Sequence, residues 1–344
     1  MVIIYCLIGV TAYVVTLSLL DVESELDIVK KSLPDYFYIG KKERIKYVSY
    51  QFKTNGTVVP NLDMIERLIT GNLGKYVRVS YNRVLNIRVY KEELPKKVKL
   101  QGENALESGK VILGIGRDGL VYHDFRNYPH MVVAGVTGYG KTTFLRSLMS
   151  QFHSEDLVVL IDLKNDRDYL QSSATSVEEA RDVLRLLLQT KKERGRVYVI
   201  IDEAAQLQKP RYVDSRSYEG KMYLECQAII SKIAAMGRSR GIHLIFATQY
   251  PHSEVIPREI KQNAESRVVF RVATEVASRV ALDEKGAESL PRGLRGRALY
   301  KVDHLEEIQT FHVDSGEEGE VNIVKIDSFT EKKNTRNRDS WSVG

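Results

Sequence analysis

Residues 2–20 form the longest uncharged stretch of the chain. In helical form this stretch would span about 28 Å, close to the roughly 30 Å hydrocarbon core of a bilayer. We therefore predict a transmembrane helix, a single-pass anchor over residues 1–22. A secretory signal peptide is not expected, because no basic segment precedes the run and no small-residue cleavage pattern follows it. A buried pair of strands is the alternative, since β-branched residues are frequent there.

Residues 23–95 alternate short strand-like runs with one helix-like stretch, which predicts a small α+β module. Residues 44–59, "RIKYVSYQFKTNGTVV", predict a hairpin with its turn at Asn55-Gly56. Residues 60–74 predict a helix that begins at Pro60 and ends at glycine, and residues 75–90 predict two strands around a turn. A charged segment ending near Pro95 predicts the boundary of the module.

Apolar strand-like runs alternate with helical stretches between residues 96 and 315. The runs "LVVLIDL", "VYVIID", "IHLIFAT" and "SRVVFRV" have the continuous apolar character of strands that are buried on both faces. We therefore predict an α/β domain with a mostly parallel sheet and helices on both faces. Residues 316–344 are polar and predict a disordered tail.

The composition adds little to this organisation. The formal net charge is +6 and the pI about 9.0, which suits a polyanionic partner, although the excess is modest. The two cysteines, Cys6 and Cys226, lie far apart, so neither a disulfide framework nor a zinc site is expected. Such cysteine usage is typical of a reducing compartment.

Residues 135–142, "GVTGYGKT", fit the P-loop pattern G-x-x-x-x-G-K-[ST]. The strand-like "HMVVAG" precedes the loop and the helix-like "KTTFLRSLMSQF" follows it. This order places several backbone N–H groups at a helix N-terminus, where they bind phosphate. We predict that ATP is bound here with Mg²⁺, with Lys141 at the β- and γ-phosphates and Thr142 as a metal ligand. The predicted nucleotide-binding residues are Gly135, Val136, Thr137, Gly138, Tyr139, Gly140, Lys141, Thr142 and Thr143.

Two carboxylates follow the apolar run "RVYVII" directly, at Asp202 and Glu203. In a P-loop sheet this is the Walker B position, where Asp202 would hold the Mg²⁺ shell and Glu203 would polarise the attacking water. The next strand ends in "FATQ", so Gln249 would lie beside the γ-phosphate as a sensor. The alternative for Gln249 is a hydrogen bond to a neighbouring loop.

These motifs, together with the segments between them, resemble one family. "VAGVTGYGKT", "VLIDLKND", "VIIDEAAQL", "AMGRSRGIHLIFATQYP" and "GAESLPRGLRGRALY" occur in the order and spacing of FtsK/SpoIIIE-type DNA translocases, in the HerA–FtsK branch of P-loop (RecA-like) ATPases. The resemblance covers residues 110–312. The module and the apolar N-terminus resemble coupling-type ATPases of conjugative plasmids and integrative elements.

The resemblance implies a homohexameric ring with ATP between subunits. Arg238 matches the arginine that reaches the neighbouring subunit's nucleotide, and the nearby Arg240 is its competitor for that role. A solvated helix end is the alternative for both.

The resemblance also implies DNA contacts from loops in the ring channel, at Lys261 and Arg279. Tyr250 and Glu275 stand where relatives commonly carry a basic residue, and Arg258 is a candidate to compensate. A second candidate for DNA or partner contact is the basic stretch after the Walker B strand. Its residues are Lys209, Arg211, Arg216 and Lys221.

From these features we expect a membrane-tethered, ATP-hydrolysing pump for double-stranded DNA, acting in conjugative transfer, with the motor on the cytoplasmic side of the cell membrane. Relaxase and secretion-channel proteins are its expected further partners. One alternative is a related motor for single-stranded DNA with its relaxase, or for viral genome packaging. The other is a docking receptor whose ATPase switches assembly of a membrane secretion complex.

Overall fold

The structure, a computed structural model, describes residues 25–54, 60–100, 106–164, 169, 171–189, 195–313 and 323. The predicted anchor at residues 1–22, the predicted turn at Asn55-Gly56 and, apart from Ile323, the predicted tail at 316–344 lie outside these residues. Among the helices that are described, none combines the length and the apolar content needed to cross a bilayer. The chain divides into two compact units, Met1–Glu93 and Leu94–Gly344.

The smaller unit contains a four-stranded antiparallel sheet with two helices. Its described elements are α1 (residues 25–32), β1 (Tyr36–Glu43), β2 (Tyr47–Thr54), α2 (Leu62–Leu73), β3 (Val77–Asn82) and β4 (Val84–Tyr90), and the strand order is β1-β2-β4-β3. Both helices pack on one face of the sheet, where Val29, Ile65 and Ile69 meet Tyr50 and Phe52.

The described hairpin of this unit joins β1 to β2. Strand β2 pairs with β1 through a turn at residues 44–46, and its other edge pairs with β4. The predicted helix is confirmed as α2, although Asn61 rather than Pro60 caps it: the Asn61 side chain accepts a hydrogen bond from the backbone N–H of Met64.

The larger unit is built on one mixed sheet. Its strands are β5 (Val98–Lys99), β6 (Lys110–Gly116), β7 (Gly119–Asp124), β8 (Met131–Ala134), β9 (Leu157–Asp162), β10 (Val197–Asp202), β11 (Ile242–Thr248), β12 (Ser266–Phe270), β13 (Arg297–Lys301) and β14 (Leu305–His312). The order is β7-β6-β14-β13-β12-β8-β11-β10-β9, with β5 paired to β14.

The prediction of a mostly parallel sheet holds for one half only. Strands β12, β8, β11, β10 and β9 are parallel neighbours, whereas β13, β14, β6 and β7 pair antiparallel. Strands β6 and β7, and strands β13 and β14, are joined by short connections without a crossover helix, and such connections reverse the chain direction. Alternation of strands and helices was the basis of the prediction, and it applies only to the parallel half.

Helices cover both faces of this sheet, as predicted. They are α3 (Lys141–Met149), α4 (Val177–Gln189), α5 (Tyr218–Met236), α6 (Arg258–Asn263) and α7 (Glu275–Leu282). Helices α4, α5 and α6 bury Leu184, Ile230 and Ile260 in one core cluster. Helix α3 buries Phe144 and Leu148 in a second cluster that contains the other set of strand side chains. The buried parallel strands thereby fix the position of the loops at their carboxyl ends.

Candidate functional site: a phosphate-binding loop and its carboxylates

The glycine-rich loop joins the central strand β8 to helix α3. Strand β8 is fully buried between β11 and β12. The loop is held from both sides, because the backbone N–H of Val136 donates to the carbonyl of Arg271 (3.0 Å) and Gly296 N–H donates to the carbonyl of Tyr139 (2.9 Å). The backbone of the loop is therefore fixed before any ligand binds.

Each of the three loop glycines has a positive φ angle, and the three differ in the space around them. At Gly135 a β-carbon would lie 2.6 Å from the Phe270 Cβ, and at Gly140 it would lie 3.0 Å from the Gly296 nitrogen. At Gly138, where φ is 83°, nothing lies within 4 Å. Gly135 and Gly140 thus allow close packing of the loop, whereas Gly138 faces open space that a phosphate can fill.

Lys141 and Asp202 form a buried ion pair at the start of helix α3. The Lys141 Nζ contacts one carboxylate oxygen of Asp202, at the carboxyl end of β10, and the Tyr169 hydroxyl donates to the other oxygen (2.8 Å). Only 5% of the lysine side chain and 7% of the aspartate side chain are exposed. The lysine charge is therefore balanced by a carboxylate, and a bound phosphate would compete for it.

Glu203 lies next to this pair with its carboxylate held in place. Its backbone is left-handed (φ 60°, ψ 58°), which is rare for a residue other than glycine. The carboxylate accepts hydrogen bonds from the backbone N–H of Gln249 (3.2 Å) and from the Thr248 hydroxyl (3.2 Å). The Lys164 Nζ is 3.4 Å from its second oxygen. Glu203 is only 2% exposed, so these partners replace water around its charge.

Sequence reasoning found Asp202 and Glu203 but assigned no role to Lys164, Tyr169 or Thr248. The signal for Lys164 is its position two residues after strand β9, because carboxyl ends of parallel strands share one edge of the sheet. Tyr169 lies in a loop, and nothing in its local sequence indicates that it reaches Asp202.

Gln249 also contacts the glycine-rich loop directly. The Thr137 hydroxyl donates to its side-chain oxygen at 2.6 Å. Since the Gln249 backbone N–H binds Glu203, this residue connects the loop to the carboxylate through two different groups. This contact fits both roles considered for Gln249, the γ-phosphate sensor and the hydrogen bond to a loop.

A pocket of about 470 Å³ opens above the loop. Its lining includes Thr142 and Thr143 on one side and residues 293–296 and 309–312 on the other. Among the described residues, no group of three or more His, Cys, Asp or Glu side chains is placed to hold a metal ion by itself. Mg²⁺ at nucleotide sites is commonly held by one or two protein oxygens plus the phosphates, and Thr142 and Asp202 offer such oxygens.

The two candidate trans-acting arginines lie just after helix α5, and both are exposed. Arg240 donates from Nη1 to the carbonyl of Leu188 (3.0 Å), near the end of helix α4. This contact gives Arg240 a local structural role.

The structure brings the two predicted DNA-contact residues together. The Lys261 Nζ contacts the Asp283 carboxylate and lies 3.5 Å from the carbonyl of Arg279. Arg279 in turn pairs with Glu275 (2.7 Å). Both basic groups therefore have local carboxylate partners. Arg258, at the start of helix α6, is exposed.

The second basic candidate, residues 209–221, is also engaged locally. Lys209 donates from Nζ to the carbonyl of Val213 (2.7 Å). Arg211 pairs with Glu254 (3.2 Å), although both side chains remain mostly exposed. Such an exposed pair contributes little to stability and leaves the arginine accessible.

The chain is similar to known proteins over part of its length. A family described as an AAA domain matches residues 125–255. The DNA translocase FtsK of Borreliella burgdorferi is 33% identical over 222 residues, which cover 53% of this chain and 27% of that protein. FtsK of Helicobacter pylori is 29% identical over 246 residues, covering 62% of this chain and 29% of that protein. The chain thus spans less than a third of the length of these curated relatives.

Solved structures show the same fold. The pCW3 conjugation coupling protein TcpA, in a monomer form with ATPγS, has a TM-score of 0.63 at 19% identity and covers 90% of this chain and 99% of its own. The cytoplasmic domain of the type VII secretion ATPase EccC of Thermomonospora curvata has a TM-score of 0.52 at 15% identity, covering 77% of this chain and 34% of its own.

Proposed function

We propose that this protein is an ATP-driven translocase of double-stranded DNA, because its larger unit is similar to FtsK-type DNA translocases and matches an AAA domain. The observation that carries the proposal is the grouping of Lys141, Asp202 and Glu203 around a pre-formed phosphate loop. Hydrolysis would drive channel contacts along DNA phosphates. Because phosphate contacts carry no sequence information, movement would be largely independent of sequence.

Each residue at the loop has a role in this proposal. The loop N–H groups and Lys141 bind the phosphates of ATP, and Thr142 and Asp202 hold Mg²⁺. When bound, the ion neutralises charge on the β- and γ-phosphates. Glu203 orients and polarises the attacking water, and Gln249 senses the γ-phosphate through its contact with Thr137.

Glu203→Gln is the first test of these roles. The amide keeps the size of the side chain but cannot accept a proton, so ATP binding should persist while hydrolysis falls by about 10²-fold or more. Nucleotide binding is measured by equilibrium titration and hydrolysis by phosphate release. Lys141→Ala is the matched control, because it should lose binding itself. Turnover near the unmodified rate in the Glu203→Gln protein would show that another group acts as the base.

The cargo is tested with naked DNA. ATP hydrolysis should rise on addition of long duplex DNA, and the protein should displace a third strand from a triplex in an ATP-dependent manner. The Lys141→Ala protein should do neither. If hydrolysis responds only to a partner protein and not to DNA, a docking receptor whose ATPase switches assembly becomes the better description.

Further DNA contacts are proposed for Lys261, Arg279 and Arg258. Lys261 and Arg279 would exchange their carboxylate partners, Asp283 and Glu275, for phosphates when DNA enters. Such exchange is feasible because exposed ion pairs are weak.

Assembly and location are also part of the proposal. Arg238 would complete the ATP site of a neighbouring subunit in a homohexameric ring, while Arg240 stays bound to the end of helix α4. Residues 96–315 would form the motor, and residues 1–22 would anchor it to the cell membrane with the motor in the cytoplasm. The likeness to a conjugation coupling protein suggests a role in conjugative transfer, with relaxase and secretion-channel proteins as partners.

A further inference from the structure

The sheet of the smaller unit has one face packed against helices and one that these helices do not cover. Its core side chains alternate along each strand, as in Val48, Tyr50 and Phe52 of β2. Successive side chains of a strand point to opposite faces. The open face therefore consists of the odd-numbered positions of β2, the even-numbered positions of β3 and β4, and the residues of β1 that pair with them.

A row of basic side chains crosses the open face. Lys42 pairs with Ser49, Ser49 with Arg88, and Arg88 with Arg78, so the row passes through all four strands. At about 4.8 Å between strands, it is about 14 Å long. Lys53 lies four residues beyond Ser49 on β2, about 13 Å from the row.

The guanidinium in the middle of this row is oriented by an aromatic ring. The Arg88 guanidinium carbon lies 5.1 Å from the centre of the Tyr47 ring. Tyr47 in turn packs on Tyr90 and Tyr90 on Tyr76, each at 5.5 Å between ring centres. Stacking on this tyrosine row restricts the arginine, so less side-chain entropy is lost when it binds a ligand.

No carboxylate is placed on the open face by the described strands. None of its positions on β2, β3 or β4 is Asp or Glu. Glu66 comes from helix α2, where it accepts a hydrogen bond from the backbone N–H of Val79 (3.0 Å) and interacts with the charge of Arg78 at the edge strand β3. Glu25 contacts Tyr50, whose side chain belongs to the core face.

The smaller unit has a net positive charge. Residues 1–93 contain thirteen Lys and Arg against ten Asp and Glu, a net charge of +3, and residues 94–344 also carry +3. Within residues 25–93 the balance is thirteen against eight, or +5. A net positive unit with a row of basic side chains across one sheet face complements a polyanion.

The polar groups between the basic residues favour DNA over a lipid surface. The Gln51 side chain donates to Asn86 (2.9 Å), and Ser80 pairs with Asn86 on the next strand. Amide, hydroxyl and guanidinium groups at fixed positions donate to phosphate and sugar oxygens. Membrane-surface binding relies on apolar side chains that insert, and the exposed apolar side chains near this sheet edge, Phe37, Ile39 and Ile45, lie on β1 and the turn after it and not within the basic row.

We propose that the open face binds the phosphate backbone of duplex DNA. This inference rests on the proposed function, and it assigns to the smaller unit a DNA contact distinct from the one at Lys261 and Arg279. In this arrangement the smaller unit holds the duplex while the ATPase domain moves it.

The test compares two double variants of the full chain. In Arg88→Gln/Lys53→Gln, two open-face charges are removed; in the control, Lys31→Gln/Arg67→Gln, two exposed charges are removed from helices α1 and α2. Affinity for a fluorescent duplex is measured without nucleotide over a range of salt concentrations. The open-face variant should bind about tenfold more weakly, and its slope of log K against log[salt] should be shallower by about two, since each lost phosphate contact contributes about 0.9.

Two further measurements distinguish loss of the DNA contact from loss of folding in the open-face variant. The charge-preserving variant Arg88→Lys/Lys53→Arg should keep the salt slope of the unmodified chain. Basal ATP hydrolysis without DNA should be equal in all variants, because none of the substituted residues belongs to the nucleotide site.

Three outcomes would contradict either the proposed function or the open-face inference. If the unmodified chain fails to bind duplex DNA, the proposed function itself is wrong. If it binds and the open-face variant keeps the same slope as the control, only the open-face inference is overturned. If the open-face variant keeps DNA binding but loses binding to phosphatidylserine vesicles, the face binds lipid instead and the inference is again overturned.

Discussion

Removal of the P-loop lysine should destabilise the ligand-free protein as well as abolish nucleotide binding. Lys141 and Asp202 are both buried, and the lysine charge balances the aspartate charge. In Lys141→Met the aspartate would keep only its hydrogen bond from Tyr169. Breaking a buried pair by removing one partner costs about 3–5 kcal/mol, and the remaining hydrogen bond places this case near the lower value.

The expected loss is large enough to measure directly. For a domain of this size 1 kcal/mol corresponds to about 2–4 °C in Tm, so a loss of about 3 kcal/mol should lower Tm by about 6–12 °C. Thermal unfolding is followed by circular dichroism without nucleotide or Mg²⁺. The double variant Lys141→Met/Asp202→Asn should recover most of the loss, because no uncompensated charge remains.

Two results would contradict the predicted loss of stability in Lys141→Met. A Tm of Lys141→Met within about 1 °C of the unmodified protein would mean that Asp202 carries no buried, uncompensated charge after the substitution. A double variant that is no more stable than the single variant would show that lost packing of the lysine side chain, and not charge, is responsible.

Two further predictions concern assembly and pH. Arg238→Ala should bind ATP but hydrolyse it at least about tenfold more slowly, whereas Arg240→Ala should hydrolyse ATP at the normal rate. Mixing Arg238→Ala subunits with subunits that lack the P-loop lysine should restore part of the hydrolysis. Absence of this rescue in rings shown to be mixed would contradict action in trans. Burial lowers the pKa of His123 and His130 to about 4 and of His243 to about 3, from an ordinary 6.5. These histidines are neutral in the folded protein and take up protons on unfolding. The free energy of unfolding should therefore be highest above pH 6.5 and should fall as the pH drops toward 4, by about 2 kcal/mol per histidine at pH 5. His123→Gln should reduce the pH dependence of Tm, and an unchanged dependence would refute the burial of His123 as its cause.

The glycine-rich loop and the carboxylates at the strand end could be predicted from the sequence because their signals are local. The spacing of Gly135, Gly140, Lys141 and Thr142 is a property of one short loop, and the structure places that loop between a buried strand and a helix. Asp202 is the last residue of the buried strand β10 and Glu203 follows it, so their position at the edge of the sheet follows from the strand itself. Local patterns of this kind are complete within about twenty residues.

Pairings between distant segments could not be predicted in the same way. The turn at residues 44–46 that joins β1 to β2, and the pairing of β2 with β4 on its other edge, were not predicted. The antiparallel half of the larger sheet was likewise missed, since β13 and β14 read locally like any other buried strands. Strand order depends on which edges are free after the rest of the chain has folded, and that information is not local.

The sequence by itself therefore determined the phosphate loop, the carboxylates that follow strand β10 and the alternation of strands and helices in the parallel half. Only the tertiary structure decided that Lys164 and Thr248 hold Glu203, that Tyr169 reaches Asp202, and that four basic residues of the smaller unit share one face. The physical reason is that charge balance and hydrogen bonding act between groups that meet in space, whereas periodicity and loop chemistry act between neighbours along the chain.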